Sequence, residues 1–420
     1  MILEIRLSNF FSIKDEVVLN LQAGSIRSQA AQLLKDNAFD YNGGKILKTI
    51  ALYGANASGK SNIIKAIRFC CLMVVESQNN TEKTIYNFVP FKFEGYSNKP
   101  STFFIRFVAN NVEYEYTYSL TKEQILLESL HYCPNGRRAL VFARDESISG
   151  EKKDKYNFGS VIKRPLDVVE NTSNKTLFIS RASQLDRVVA KEVFNFFANT
   201  FMLGFPWHDA LAIENLYKEN RELVLKALQI ADSDIVNISM SKEEIMVKTL
   251  NAQFPQNTAT ISDEKQLRLI FKTFHKAAPD VPFDLNSEES DGTKKLFSIL
   301  LTIIDIVRHD KILIIDELES SLHNDIVEFV IALFHASNSS QLIFSTHNTN
   351  LINLRKLRKD QIYFVNKKED ASIDLYSLFD YKDFRDTMDA EKGYLQGRFD
   401  AVPYIDTSLI TLKNLIYGKI

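Results

Sequence analysis

The chain opens with strict alternation. Leu3, Ile5 and Leu7 are apolar and separated by Glu4 and Arg6, the period of two that a strand with one buried face requires. Residues 17–21 read as its partner strand across a turn at 9–15. An apolar run at 46–53 ends in a glycine loop, and residues 62–75 follow with helical length and neither Gly nor Pro. Two β-rich stretches, 102–108 and 112–120, are joined by Asn110-Asn111, a pair suited to the left-handed backbone of a tight hairpin. The text changes again toward the C-terminus. Residues 294–307 and 325–336 are spaced as helices, while 312–315 and 341–345 are short apolar runs without polar alternation. Such strands alternating with helices predict a parallel sheet covered on both faces.

Between these regions, residues 185–197, 215–230 and 264–275 place apolar side chains three and four apart with charges between, the spacing of amphipathic helices. None continues as a heptad seam long enough for an extended coiled coil. The expected organisation is therefore residues 1–149 as the first part of an α/β head with a β-rich subdomain, 150–285 as a compact helical insert, and 286–420 as the second part of the head with a tail.

The composition narrows the function classes. Of 420 residues, 45% are hydrophobic and 25% charged, which excludes a disordered or disulfide-stapled chain. Lys and Arg number 51 against 53 Asp and Glu, a formal charge of −2, so no general attraction to DNA or an anionic membrane is built in. The longest apolar stretch, 297–307, is interrupted by Asp305 and too short for a membrane span. The alternating N-terminus does not read as a signal peptide. Three cysteines, two of them adjacent, provide neither a disulfide framework nor metal-ligand spacing, and a cytoplasmic location is expected.

Four motifs carry chemistry. Gly54-Ala55-Asn56-Ala57-Ser58-Gly59-Lys60-Ser61 has the spacing of a phosphate-binding loop between a strand and a helix. Its glycines let successive N–H groups point into one concave nest, and the helix that follows, starting around Asn62, aims its positive end at the same charge. Lys60 would reach the β- and γ-phosphates of ATP, and the Ser61 hydroxyl would ligate Mg²⁺. In 311–317 four aliphatic residues lead to Asp316, placed to hold the Mg²⁺, and Glu317, placed to polarise an attacking water. On its own that ending is also the commonplace acidic turn after a strand. The run 341–347 is another apolar strand, ending in His347, which would contact the γ-phosphate; a solitary histidine there is otherwise an ordinary loop residue. Last, Ser290, Gly292 and Thr293 stand at the mouth of a helix, either a second anion site or a plain serine cap.

Together these motifs resemble the ATP-binding-cassette ATPase heads of the SMC, RecF and OLD-nuclease group. The phrases IDELESSLH, ESDGTKKL, LIFSTHNTNLI, KDQIYFV and KGYLQGRFDAVP are similar to bacterial AAA-type ATP-binding proteins of the RloA/AbiL-like family, related to the ATPase half of OLD proteins. The resemblance implies an α/β P-loop NTPase of the ABC/SMC-head type. In that scheme 290–295 is a signature loop acting in trans, 320–323 a D-loop, and His347 a switch histidine. It further implies self-association as a dimer or higher oligomer, a separate effector protein from the same locus, a phage trigger protein, and a role in abortive-infection defence. Two departures bear on residues: the phrase Asn9-Phe10-Phe11-Ser12 has Phe11 where the family usually has arginine, and Asp400 replaces a usual tail glycine. Two other functions fit the same motifs. A DNA-repair head would clamp DNA, with the basic run 355–359 on its phosphates; a nucleotide-gated scaffold would bind ATP and scarcely hydrolyse it.

Overall fold

The computed structural model describes residues 1–26, 32–163, 165–204, 210–231, 234–253, 258–320, 322–402 and 408–418. They form two compact units. One comprises Met1–Leu203, Lys311–Ser320 and Phe334–Ile420; the other comprises Gly204–Asp310 and Ser321–Leu333.

A six-stranded sheet organises the first unit. Its order is Phe201–Leu203, Ile312–Ile315, Gln341–Ser345, Thr49–Tyr53, Ile362–Lys367 and Ile373–Ser377, and every neighbouring pair is parallel except the last. Ile312–Ile315, Gln341–Ser345 and Thr49–Tyr53 are buried along their whole length, as continuous apolar runs must be when both faces are covered. The helix Lys60–Glu76 follows directly from the Thr49–Tyr53 loop and buries Ile63, Ile64, Ile67, Cys70, Cys71 and Val74. Gln341–Ser345 lies between the strand that feeds the glycine loop and the strand that ends in Asp316. The carboxyl ends of these three parallel strands consequently open on one edge.

The second sheet of this unit is antiparallel and seven-stranded: Tyr156–Phe158, Ala139–Asp145, Ile125–Cys133, Val112–Leu120, Ser101–Ala109, Ile2–Ser8 and Val17–Asn20. The expected hairpin is present, and Asn110 and Asn111 take φ of 48° and 61° at its turn. A buried carboxylate ties this sheet to a helix. Glu128 accepts from the backbone N–H of Phe178 (2.6 Å) and Ile179 (3.0 Å), and from the Tyr116 hydroxyl at 2.9 Å. The amides at the start of Phe178–Gln184 thus find a partner away from water. Arg144, equally buried, lies 3.8 Å from Glu128 and donates to the carbonyls of Thr176 and Ser173.

The second unit packs the helices Ala210–Ile230 and Asp291–Arg308 around Tyr217, Val224, Leu228, Phe297 and Leu300, closed by Leu269 and Phe271. Those last two residues correct the sequence reading. Residues 264–275 are not helical: they belong to the strand Thr258–His275, antiparallel to Ile235–Gln253 and flanked by Ala278–Asp284. Leu267, Ile270, Phe271 and Phe274 satisfy helical spacing while Leu267, Leu269 and Phe271 alternate, so periodicity alone does not separate the two. The pairing does: Leu269, Phe271 and Thr273 face the core while Arg268 and Lys272 are exposed. The helix expected at 185–197 is present as Val188–Thr200; Asp186 at φ 59° separates it from the shorter Phe178–Gln184, and both helices belong to the first unit. The stretch 150–285 is therefore part helix and part sheet rather than a purely helical insert.

Candidate functional site: a P-loop facing two carboxylates

The loop 54–59 cannot carry side chains at its glycines. A Cβ on Gly54 would stand 2.4 Å from the Val365 carbonyl and 2.5 Å from the Ser58 hydroxyl. At Gly59, where φ is 107°, it would meet Ile373 at 2.7 Å and Ser12 at 2.8 Å. Ala57 is also left-handed, at φ 60°. Asn56 and Ala57 are exposed, whereas Ser58 is buried and its hydroxyl has no protein partner. Lys60 is 5% exposed and bends back over the loop, donating to the carbonyls of Gly54 (2.8 Å) and Ala55 (3.0 Å). Burial pushes its ammonium down, opposed by the carboxylates of Asp316, Glu317 and Glu319. Ser61 and Asn62 are half-buried in the first helical turn, which contains no acidic residue. Asn62 Nδ2 donates to Ser12 Oγ at 2.8 Å, tying the start of the helix to the turn that follows the strand Ile2–Ser8.

Opposite the loop, one serine organises the acidic pair. Ser345 ends its strand fully buried, and its hydroxyl donates to Asp316 Oδ1 at 2.5 Å while accepting from the Glu317 backbone N–H at 2.7 Å. Its carbonyl accepts from Leu318 N–H at 3.1 Å. Glu317 sits at φ 52° with its side chain exposed, where a relaxed turn would not have put it. His347, two residues beyond Ser345, is exposed, and its backbone N–H donates to Glu319 Oε1 at 2.5 Å. The other oxygen of Glu319 is buried without a hydrogen-bond partner. Gly54 to Asn62, Asp316, Glu317 and His347 thus come from adjacent strand ends, as the motifs anticipate.

The signature residues occupy the second unit. Ser290 caps Asp291–Arg308 and its Oγ accepts from Thr293 N–H at 3.1 Å. Ser290 and Gly292 are exposed. Of the D-loop, Ser321 lies outside the described residues; His323 is exposed, 3.4 Å from Asp325.

Sequence reasoning missed Glu319 and the role of Ser345. Both were within quoted motifs, but only the interleaving of strand Gln341–Ser345 shows that one hydroxyl reaches both acidic residues and that Glu319 reaches the histidine segment. The loop accommodates a triphosphate by its own chemistry: a cradle that any Cβ would fill, an unpartnered buried hydroxyl and a lysine directed inward. Ser61 and Asp316 supply the hard oxygen donors that Mg²⁺ prefers. Among the described residues no cluster of three or more His, Cys, Asp and Glu forms a separate metal site, and no helix is long and apolar enough to cross a membrane.

The family model described as "AAA domain, putative AbiEii toxin, Type IV TA system" matches residues 50–353, from the strand before the glycine loop to just beyond His347. The chain belongs to this AAA family. Among curated proteins, no sequence matches it. Solved structures similar to this AAA protein include the SMC head domain from Thermotoga maritima, at 13% identity and a TM-score of 0.41, covering 90% of this chain and 98% of that one. An SmcHead bound to the C-winged helix domain of ScpA is similar at 18% identity and 0.36, covering 90% and 97%. A Smc head with an extended coiled coil, bound to the C-terminal domain of ScpA from Pyrococcus furiosus, gives 16% and 0.37, covering 90% and 96%. By family the AAA protein is an α/β P-loop ATPase.

Proposed function

We propose that this AAA protein hydrolyses ATP and uses the bound triphosphate to hold copies of itself together. The supporting observation is the bridge made by Ser345, which fixes Asp316 and orients the backbone of Glu317 across from Lys60. Lys60 would leave the Gly54 and Ala55 carbonyls for the β- and γ-phosphates. The N–H groups of the loop would then bear on the remaining charge. Ser61 and Asp316 would hold Mg²⁺, which would supply charge neutralisation on the phosphate oxygens. Glu317 would accept a proton from the water that attacks the γ-phosphorus as the bond to ADP breaks, with His347 beside the γ-phosphate.

Ser290, Gly292 and Thr293 of a neighbouring copy would cover the same triphosphate with the positive end of the helix Asp291–Arg308. That contact stabilises the engaged state only while the γ-phosphate is present, so ATP favours the oligomer and hydrolysis releases it. The family description, with its AbiEii-toxin and Type IV TA terms, is in keeping with a defence context; within it this reading makes the chain a sensor or regulatory ATPase of anti-phage defence acting on a separate effector, a role taken from the motif resemblance to RloA/AbiL-like and OLD proteins. The DNA-clamping alternative loses part of its basis. Arg358 is buried in an ion pair with Asp360 and Lys359 is paired with Asp386 at 2.8 Å, so only Arg355 and Lys356 of the basic run are exposed.

Steady-state turnover tests the proposal. The parent protein is expected to release phosphate, Lys60→Ala to bind ATP about a hundredfold more weakly, and Glu317→Gln to bind it with turnover lowered by about 10²–10⁴-fold. Parental turnover in Glu317→Gln would remove the base from this account, and ATP binding with no turnover in the parent would favour the nucleotide-gated scaffold.

A further inference from the structure

The residue before Ser290 is held by the hairpin. Glu289 has a side chain only 7% exposed. Its Oε1 accepts from the Thr273 hydroxyl and lies 2.7 Å from His275 Nε2. The other ring nitrogen of His275 lies 2.9 Å from Asp234 Oδ1, at the entry to Ile235–Gln253. A ring placed between two carboxylates can satisfy both only by donating from both nitrogens, which is the imidazolium form. Phe283, from the third strand, packs edge-on against the ring with centroids 4.8 Å apart. The charged groups facing His275 are Asp234 and Glu289; His323 lines the same cavity of about 310 Å³, next to Ser290, Gly292 and Thr293.

This arrangement has an electrostatic consequence. A lone carboxylate on Glu289 would oppose any phosphate brought to the helix end at Ser290. Protonated His275 cancels that charge and also fixes the backbone leading into the cap. We infer that His275 is a positioning residue for the signature loop, through which the three-stranded hairpin controls whether Ser290 and Gly292 can engage a neighbouring copy's nucleotide. This inference rests on the proposed role of the signature loop in trans.

Three measurements on the full-length Glu317→Gln protein test it. His275→Ala is expected to bind a fluorescent ATP analogue with parental affinity yet require about tenfold more protein for ATP-dependent assembly, the loss of one charge-assisted bond. The two acidic partners raise the His275 pKa above 6.5, with the Asp234 bond first among the causes. The stabilising proton is fully present below 6.5 and lost as pH rises through the folded value, so parental assembly should weaken above 6.5 while the His275→Ala profile is flat. Glu289→Gln keeps an acceptor but removes a charge, and should move the pH dependence to lower values while retaining assembly at pH 6. Without ATP, amide hydrogen exchange at 288–296 should rise in His275→Ala. Parental assembly, pH profile and exchange in His275→Ala would overturn the inference, as would joint loss of nucleotide binding. If the Glu317→Gln parent itself fails to assemble with ATP, the in-trans reading falls, while the exchange measurement still decides whether His275 holds the loop.

Discussion

Individual side chains in this protein act through positions that a neighbouring strand imposes on them. Asp316 and Glu317 are adjacent carboxylates that would repel one another at the end of a buried strand; Ser345 holds the Asp316 side chain and the Glu317 backbone, and the left-handed turn at Glu317 leaves its side chain exposed. Because Lys60 is the inward cation of the loop, Lys60→Ala should weaken ATP binding about a hundredfold, measurable by calorimetry, as charge-assisted bonds are removed. Glu317→Gln is nearly isosteric and should lower turnover by about 10²–10⁴-fold with nucleotide affinity retained. Glu319 offers a sharper distinction. Its Oε1 accepts from His347 N–H, so Glu319→Gln should keep most activity while Glu319→Ala should lower turnover about tenfold, with ATP affinity unchanged in both. Equal loss in the two variants would mean that the charge, and not the acceptor, is what the site needs.

Secondary-structure elements show what could be read from the text and what could not. The strand–loop–helix around Gly54 and Lys60 was legible because its requirements are local: aliphatic strand, glycines where a Cβ collides, helix without breakers. Gly59→Ala is expected to lower the unfolding free energy by about 1–3 kcal/mol and to impair ATP binding, since the new methyl group would sit at φ 107° and press on Ile373 and Ser12. The strands that end at the candidate site were legible as buried β runs, but their order was not. Nothing in residues 341–347 says that this strand inserts between the other two, and so nothing announced the Ser345 bridge. The hairpin arm was misread for a different reason. In 264–275 apolar residues fit two periods, and the register with Ile235–Gln253, a long-range property, decides between them. The helix expected at 185–197 forms from Val188, after Asp186 at φ 59° sets it off from Phe178–Gln184.

For the whole molecule, stability depends on buried polar groups that tie distant segments together. His335 lies within hydrogen-bonding distance of Thr49 Oγ1 at 3.0 Å, and Lys48 bonds the His335 carbonyl at 2.7 Å. Burial first, and then the Lys48 charge, lowers the His335 pKa to about 4. The unfolded chain therefore takes up a proton that the folded one refuses. Stability is complete above about 6.5 and should decline by roughly 2–3 kcal/mol as pH falls from there to about 4, where the loss levels off. Denaturant unfolding across that range should show the slope, and His335→Gln should flatten it. The composite-site account makes its main claim at this same scale: a triphosphate bound by one copy draws in the signature helix of another. Native mass measurement of Glu317→Gln, with ATP and without, tests that claim most directly. The account predicts a monomer without nucleotide, a dimer or larger species with ATP, and no such shift when Ser290 is replaced by arginine; an unchanged mass in ATP, with binding verified in the same sample, would contradict it.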